Sequence, residues 1–467
     1  MKPFHFLIIF LFFTVSCKKE SFITSGNAKL STSADTLYFD TVFTSVGSVT
    51  KYFRIFNDND KKLKIGNIQL GGGINSAFKF NVDGFSGPSV TDIELDANDS
   101  VYVFVTVKID PTSANNPFVL QDSVRIDYNG KIKWVQLEAW GQNANFLRSK
   151  LITASETWTN TKPYVILEGL QVAPGARLTI SKGTRVYMHA DAPLIIDGTL
   201  KVTGEKYDST RVVFQGDRLD DPYRDFPAAW PGIYFRETSI NNELNFAIIK
   251  NAYQGVVAFS PSLNLNPKLL MNECIVENCY DAGILAIQSD IKAKNCLISN
   301  SGKNLLLVNG GKYDFNHCSV VSVSNNFISH KEPVLTLANY IMDGTTVISN
   351  GLTGLFRNCI FWGENGTVED EVVVNKQGNG ALDVNFQNCL WKVKKDPLLT
   401  QGVKASGILL NQNPGFDSVN IQKHFYNFRL KVGSPAINNG IATGIAFDLD
   451  GNPRSVGVPD LGAYEKQ

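Results

Sequence analysis

The sequence predicts an all-β chain, an Ig-like β-sandwich followed by a right-handed parallel β-helix. Three observations predict it. Brief apolar runs are cut every few residues by Gly, Pro or Asn, and a 3.6-residue period is sustained nowhere. A frame of Asn one or two residues before Cys recurs through the second half, its first two steps 22 residues each. Asparagine, which favours turns and tolerates left-handed backbone, occurs 43 times, 27 of them from Asn251 onward.

Composition narrows the function classes. The 467 residues carry 44 basic and 44 acidic side chains, so the formal charge is zero. Phosphate binding needs a concentrated basic field, and the balance gives nucleic acid no support as a partner. Hydrophobic residues at 43% and 30 Phe, 15 Tyr and 6 Trp exclude wholesale disorder.

Residues 1–17 read as a targeting segment. Lys2 precedes the apolar run Phe6–Phe13, which at eight residues falls far short of the ~20 a spanning helix needs. Thr14-Val15-Ser16-Cys17 follows and resembles a bacterial lipoprotein signal, in which the cysteine is acylated and becomes the new N-terminus. Thr14 stands where that family usually has Leu. The resemblance implies lipidation at Cys17, a bilayer as partner and the outer membrane as location, with either leaflet open. Several acyl chains on one residue anchor stably where one does not. Residues 18–27 read as a polar tether.

Residues 28–141 read as short strands. Leu37–Val42, Tyr52–Phe56, Leu63–Leu70, Val101–Val107, Ser123–Tyr128 and Ile132–Leu137 are the main runs, and Asn129-Gly130 between the last two is a hairpin signal. About seven strands fit an immunoglobulin-like sandwich. The pattern resembles the Ig-like modules that precede larger domains in bacterial surface lipoproteins.

From residue 146 to 430 the runs shorten and repeats appear. Asn245–Tyr253 aligns with Asn272–Tyr280 at an offset of 27. Cys274, Cys296, Cys318, Cys359 and Cys389 share one local frame, spaced 22, 22, 41 and 30 residues apart. Neither Cys-x-x-Cys nor a suitably spaced His completes a zinc site. A repeated register argues for a repeated position, so these thiols, with Cys279, are expected free and buried in a stacked interior column. The longer steps imply missing repeats or loops.

The stretch Ala192–Leu200, then Trp230-Pro231-Gly232-Ile233, then the Asn-Cys frames resembles the right-handed parallel β-helix lipoproteins of bacterial envelopes, of pectin-lyase-like architecture. Gly433–Ile437, Asp448–Arg454 and Pro459–Glu465 are similar to the terminal motif of many secreted β-helix proteins. Residues 431–467 are accordingly expected to cap the solenoid. The resemblance implies architecture more than activity, because the fold hosts lyases, hydrolases, epimerases and adhesins.

Candidate sites follow from residue chemistry. Asp217, Arg218, Asp220, Asp221, Tyr223, Arg224, Asp225 and Trp230 crowd one loop. Their carboxylates and guanidinia suit sugar hydroxyls, and their rings suit sugar faces. The competing reading is a salt-bridged loop covering the side of the coils. Asp448, Asp450 and Asn452 alternate oxygen ligands as calcium loops do, but without the EF-hand pattern. A turn, with Arg454 pairing Asp460 or Glu465 to fasten the terminal coil, is the preferred reading. Glu369-Asp370-Glu371 reads as an exposed acidic loop, His330-Lys331-Glu332 as a surface turn, and no histidine is assigned catalysis. No motif supports a nucleotide or organic cofactor. No catalytic residue is assigned. The leading expectation is glycan binding or adhesion at the envelope. A polysaccharide lyase or glycoside hydrolase is the alternative, and a non-catalytic structural subunit is a third.

Overall fold

The computed structural model describes residues 21–43, 50–110, 118–454 and 457–467. Cys17 and the rest of the targeting segment lie outside them. The chain divides into two compact units, Met1–Gln142 and Asn143–Gln467. Among the described residues there is no α-helix, and none is long and apolar enough to cross a membrane.

The first unit is a β-sandwich of two five-stranded sheets. One orders Leu30–Thr32, Lys51–Asn57, Ser100–Val107, Phe78–Val82 and Phe85–Gly87. The other orders Thr36–Phe43, Lys131–Gln142, Phe118–Tyr128, Leu63–Leu70 and Ser89–Leu95. Pairing is antiparallel except between Thr36–Phe43 and Lys131–Gln142. Strict alternation builds the core: Val103, Val105 and Val107 point inward with Phe53, Ile55, Ile126 and Val135. Asn129 (φ 44°) and Gly130 (φ 76°) make the tight hairpin turn that their sequence signals. Among the described residues ten strands stand where about seven were expected, because the segment 78–95 folds into three strands of three to seven residues.

The second unit is a parallel β-helix. A single 26-stranded sheet winds from Asn145 to Leu410, each strand pairing in parallel with its counterpart one coil away. The offset of 27 is real: Asn245 pairs with Asn272 and Ile248 with Ile275. The register continues as Ile275, Leu297, Ser319, Ile360, Leu390 and Leu409. Each preceding residue points inward, so Cys274, Cys296, Cys318, Cys359 and Cys389 form one buried column of free thiols, with Cys279 also buried. The residue before each of these five cysteines is left-handed: Glu273, Asn295, His317, Asn358 and Asn388 have φ between 48° and 54°. This conformation turns the chain from one face into the next, and Asn tolerates it better than most residues.

The long steps of 41 and 30 are insertions within single coils, not lost repeats. The first holds a loop and the hairpin Tyr340–Asp343 with Thr346–Ser349. Phe315, Phe356 and Phe386 stack through successive coils at 5.5 and 4.9 Å.

The C-terminal expectation needs correction. Residues 416–430, expected as coil, form an antiparallel hairpin. Residues 431–467 do not cover an end but lie along the flank, where Leu449, Leu461, Ala463 and Tyr464 pack on Leu297, Val321, Ile360 and Leu390. The physical reason is that these coil positions point outward yet are apolar, so they need a lateral cover.

Candidate functional site

The loop after Val212–Gly216 is held by its own charges. Arg218 donates to both oxygens of Asp220 at 2.8 and 3.0 Å, and Arg224 lies 2.9 Å from Asp221 and 3.7 Å from Asp225. Asp217 meets His189 at 2.7 Å. Most of the loop's charges are thus spent on one another. Trp230 corrects the sequence reading: it is buried in the core, its Nε1 donating to the Lys250 carbonyl at 2.9 Å, and it presents no face to a ligand.

Beneath the loop runs an asparagine ladder. Asn251, Asn278 and Asn300 follow equivalent strands of successive coils and share left-handed backbone, with φ of 62°, 54° and 50°. Asn278 Nδ2 donates to Asn251 Oδ1 at 2.9 Å and to the Asp225 carbonyl at 2.8 Å. Asn251 Nδ2 donates to the Arg224 carbonyl at 2.6 Å. The ladder therefore fixes the loop at Asp225.

Around this anchor lies a cleft of about 150 Å³. Asp225 comes from the loop, Lys250 and Glu277 from the coil strands, Asn325 and Phe327 from the inserted loop, and His424 and Tyr426 from the 416–430 hairpin. His424 Nδ1 is 3.3 Å from Asp225 Oδ2. Lys250 and Glu277 are register neighbours. Arg218 lies over the Tyr223 ring at 3.9 Å. From there Tyr223, Phe226, Phe327 and His424 follow ring to ring at 5.3, 5.1 and 4.8 Å, leading from the loop into the cleft.

Burial pushes the Glu277 carboxyl above its usual range. Lys250 pulls it back and the Asp225 charge adds to the rise. Burial likewise raises the Tyr426 hydroxyl against the pull of Asn325, and among the described residues that hydroxyl has no partner in good hydrogen-bond geometry. Chemically the cleft offers a carboxyl held toward its protonated form, a second carboxylate against an imidazole, an underused hydroxyl and aromatic faces.

The sequence pointed to Asp225 and missed Glu277, Asn325, Phe327, His424 and Tyr426. Glu277-Asn278 sits inside the repeat, which marks its position but not its exposure. The others arrive on insertions with no local signal.

Other expectations resolve differently. Glu371 is fully buried, its Oε1 2.9 Å from His330 Nε2, while Lys392 lies 3.8 Å away. His330 is buried too, so neither the exposed acidic loop nor the surface turn holds for these two residues. Together they pin the inserted loop to the coil. Asp448 Oδ1 accepts from the backbone N–H of Asp450 and Asn452 at 2.9 and 2.7 Å, and Oδ2 accepts from that of Glu465 at 2.7 Å. Asp450 is held by Arg429 at 2.6 and 2.8 Å. With the oxygens of both aspartates committed to N–H donors, this set fits a braced turn rather than a calcium loop. Arg454 pairs with Glu465 as one of the two partners expected, but it fastens the flank of a middle coil, not the terminal one.

No known protein family matches the chain, and no curated protein matches it. Among solved structures, a family 123 glycoside hydrolase from Clostridium perfringens, studied for glycolipid glycan hydrolysis, is similar at 10% identity and TM-score 0.19 over 28% of this chain. The chain spans about a third (31%) of that hydrolase's length. The ASH/PapD-like domain of human CEP192 is similar at 13% identity and TM-score 0.18, over 30% of this chain and 96% of that domain. Neither likeness bears on activity. The class of protein is defined by architecture: a parallel β-helix solenoid with a β-sandwich unit before it.

Proposed function

We propose that this chain is a lipid-anchored cell-envelope protein that binds glycans in the cleft at Asp225, Phe327 and His424. The observation that carries the reading is the convergence of three separate chain segments on that cleft, with a train of rings leading into it. Sugar recognition needs hydrogen-bonding groups beside an apolar face, and the cleft joins both. The anchor is Cys17 and the location the outer membrane, its leaflet open.

Binding to a broad panel of immobilised polysaccharides tests the site. Asp225→Asn, Phe327→Ala and His424→Ala are each expected to weaken retention about tenfold, the loss of one good polar or aromatic contact. Retention of no glycan, or retention indifferent to all three changes, would overturn the proposal. Mass measurement of the N-terminal peptide tests the anchor, with Cys17→Ser expected to abolish acylation.

A second reading, a polysaccharide lyase or glycoside hydrolase, is favoured by one observation. The half-buried Glu277 carboxyl and the Asp225–His424 pair differ in environment, as the acid and base of such reactions do. Sizing polysaccharide products with and without calcium distinguishes the two: shortened chains mean turnover, intact chains mean binding.

A further inference from the structure

We infer that the sandwich unit carries its own carbohydrate site, on the outer face of the sheet holding Lys51–Asn57 and Ser100–Val107, and that its ligand is an acidic polysaccharide. This site is separate from the cleft and does not depend on it.

The face starts from strand alternation. Phe53, Ile55, Val103 and Val105 are buried, which turns Tyr52, Arg54, Tyr102 and Phe104 outward. A soluble sandwich normally fills such outward positions with small polar or charged residues. Here Tyr52 is 57% exposed and Tyr102 and Phe104 are each 42% exposed. The three rings touch. Tyr52 meets Tyr102 at 5.3 Å and Phe104 at 6.1 Å, and Tyr102 and Phe104 lie 5.8 Å apart within 12° of parallel. A contiguous exposed aromatic surface of this kind marks a binding site.

The charge of the face selects the ligand. Arg54 is stacked over Tyr102 at 5.6 Å and over Phe56 at 4.8 Å. Lys79, opposite Thr106 in the neighbouring strand, and Lys108, just beyond the end of Ser100–Val107, are exposed. None of the three forms an ion pair among the described residues; the acidic positions beside the face are Asp83, at the adjoining turn, and the exposed Asp110, which borders Lys79 and Lys108. Aromatic faces stack on the C–H face of a sugar ring, while unpaired cations attract carboxylate or sulfate groups. A groove continues the platform: Phe104 and Lys79 line a cavity of about 580 Å³ with Asn81, Ser86 and Thr106. Its polar groups suit hydroxyls, and its volume admits more than a single ring. A bare apolar partner would leave the cations unmatched, and a bare polyanion would leave the rings unused. An acidic sugar chain satisfies both.

The test uses the full-length chain and affinity electrophoresis in gels holding a polyuronate, the same polymer as its neutral methyl ester, or polyglutamate. The polyuronate is expected to retard the protein, the ester and polyglutamate far less. Tyr102→Ala with Phe104→Ala, and separately Arg54→Gln with Lys79→Gln, are each expected to weaken polyuronate binding about tenfold. All four side chains face solvent, so thermal melts of the variants should match the parent and exclude misfolding. Lys312→Gln, which removes an exposed cation of the coils that belongs to neither site, is expected to leave this binding unchanged, which separates the face from unspecific charge attraction. Equal retardation by polyglutamate, binding indifferent to the aromatic pair, or no retardation by any acidic polysaccharide would overturn the inference.

Discussion

Arg454 Nη1 lies 3.0 Å from Glu465 Oε2, with both side chains almost wholly buried. The same guanidinium donates to Asn295 Oδ1, 159 residues earlier, at 2.9 Å, and to the Gly462 carbonyl at 2.9 Å. One side chain thereby closes the C-terminal turn on itself and locks it to the left-handed corner of a middle coil. Arg454→Met is expected to leave the buried Glu465 carboxylate without its cation and Asn295 Oδ1 without a donor, at a cost of about 3–5 kcal/mol. Urea unfolding measures the loss. Limited proteolysis should show cleavage within 431–467 before the coils open.

The stability of this flank should depend on acid. His317 Nε2 accepts from Asn358 Nδ2 at 2.9 Å, and Nδ1 donates to the Asp460 carbonyl at 3.1 Å, so the folded imidazole is neutral. Burial first, then the Arg454 and Arg357 charges, hold its pKa down to about 2 from an ordinary 6.5. The unfolded imidazole takes a proton below 6.5 that the folded one refuses, so this group's contribution is complete above pH 6.5 and lost as pH falls. The limiting slope is about 1.4 kcal/mol per pH unit. His317→Asn keeps a residue tolerant of left-handed backbone and removes the titration. A shallower loss of stability from pH 6.5 to 4.5 in the variant is the expected result.

Asn358 is the corner of the next coil (φ 54°) and the hub of the flank. Besides meeting His317, its amide donates to the Ile441 carbonyl at 2.8 Å and accepts from the Ile441 N–H at 2.9 Å. Asn358→Ala removes these bonds and places Ala where its Cβ disfavours the backbone, an expected loss of about 2–5 kcal/mol. Asn358→Gly, which relieves the strain alone, should recover about 1 kcal/mol of it. Equal stability of the two variants would contradict the conformational part of the argument.

The phenylalanine stack is a pure packing element. Phe356 is fully buried between Phe315 and Phe386 and edge-on to Phe361 at 5.9 Å. Phe356→Ala should cost about 3–5 kcal/mol, while Phe356→Leu should cost clearly less. Chemical denaturation of both variants measures the difference.

The thiols of residues 274–389 should be inert in the folded chain. All six are buried, and burial pushes Cys279 up to about 12 and Cys274, Cys296, Cys318 and Cys359 well above the ordinary thiol range. A thiol-specific reagent at pH 8 should leave them unmodified until denaturant is added and then label all six. Rapid native labelling at any of them would show that the solenoid opens locally there.

The repeat was legible because stacking makes it so. Equivalent coil positions lie about 4.8 Å apart in parallel register, so the same environment recurs and the chain repeats its Asn-Cys frame. Hence the 27-residue offset, the thiol column and the all-β class followed from spacing alone. The strand Val101–Val107 and the turn at Asn129-Gly130 were legible because local sequence fixes both. Trp230 misled because an aromatic in a charged loop reads as ligand-facing until its burial is known. Glu371 and His330 misled because charge reads as exposure until a partner 41 residues away appears.

The sequence by itself determined the coils: their period, their interior residues and their turns, all set by contacts between neighbours along the chain or one coil away. Only the tertiary structure decided the cleft and the flank. Asp225 and His424 meet across 199 residues, and Arg454 and Asn295 across 159. Such pairs leave no periodic trace, because their proximity comes from how inserted loops and the C-terminal segment fold back over outward-facing apolar positions of the coils.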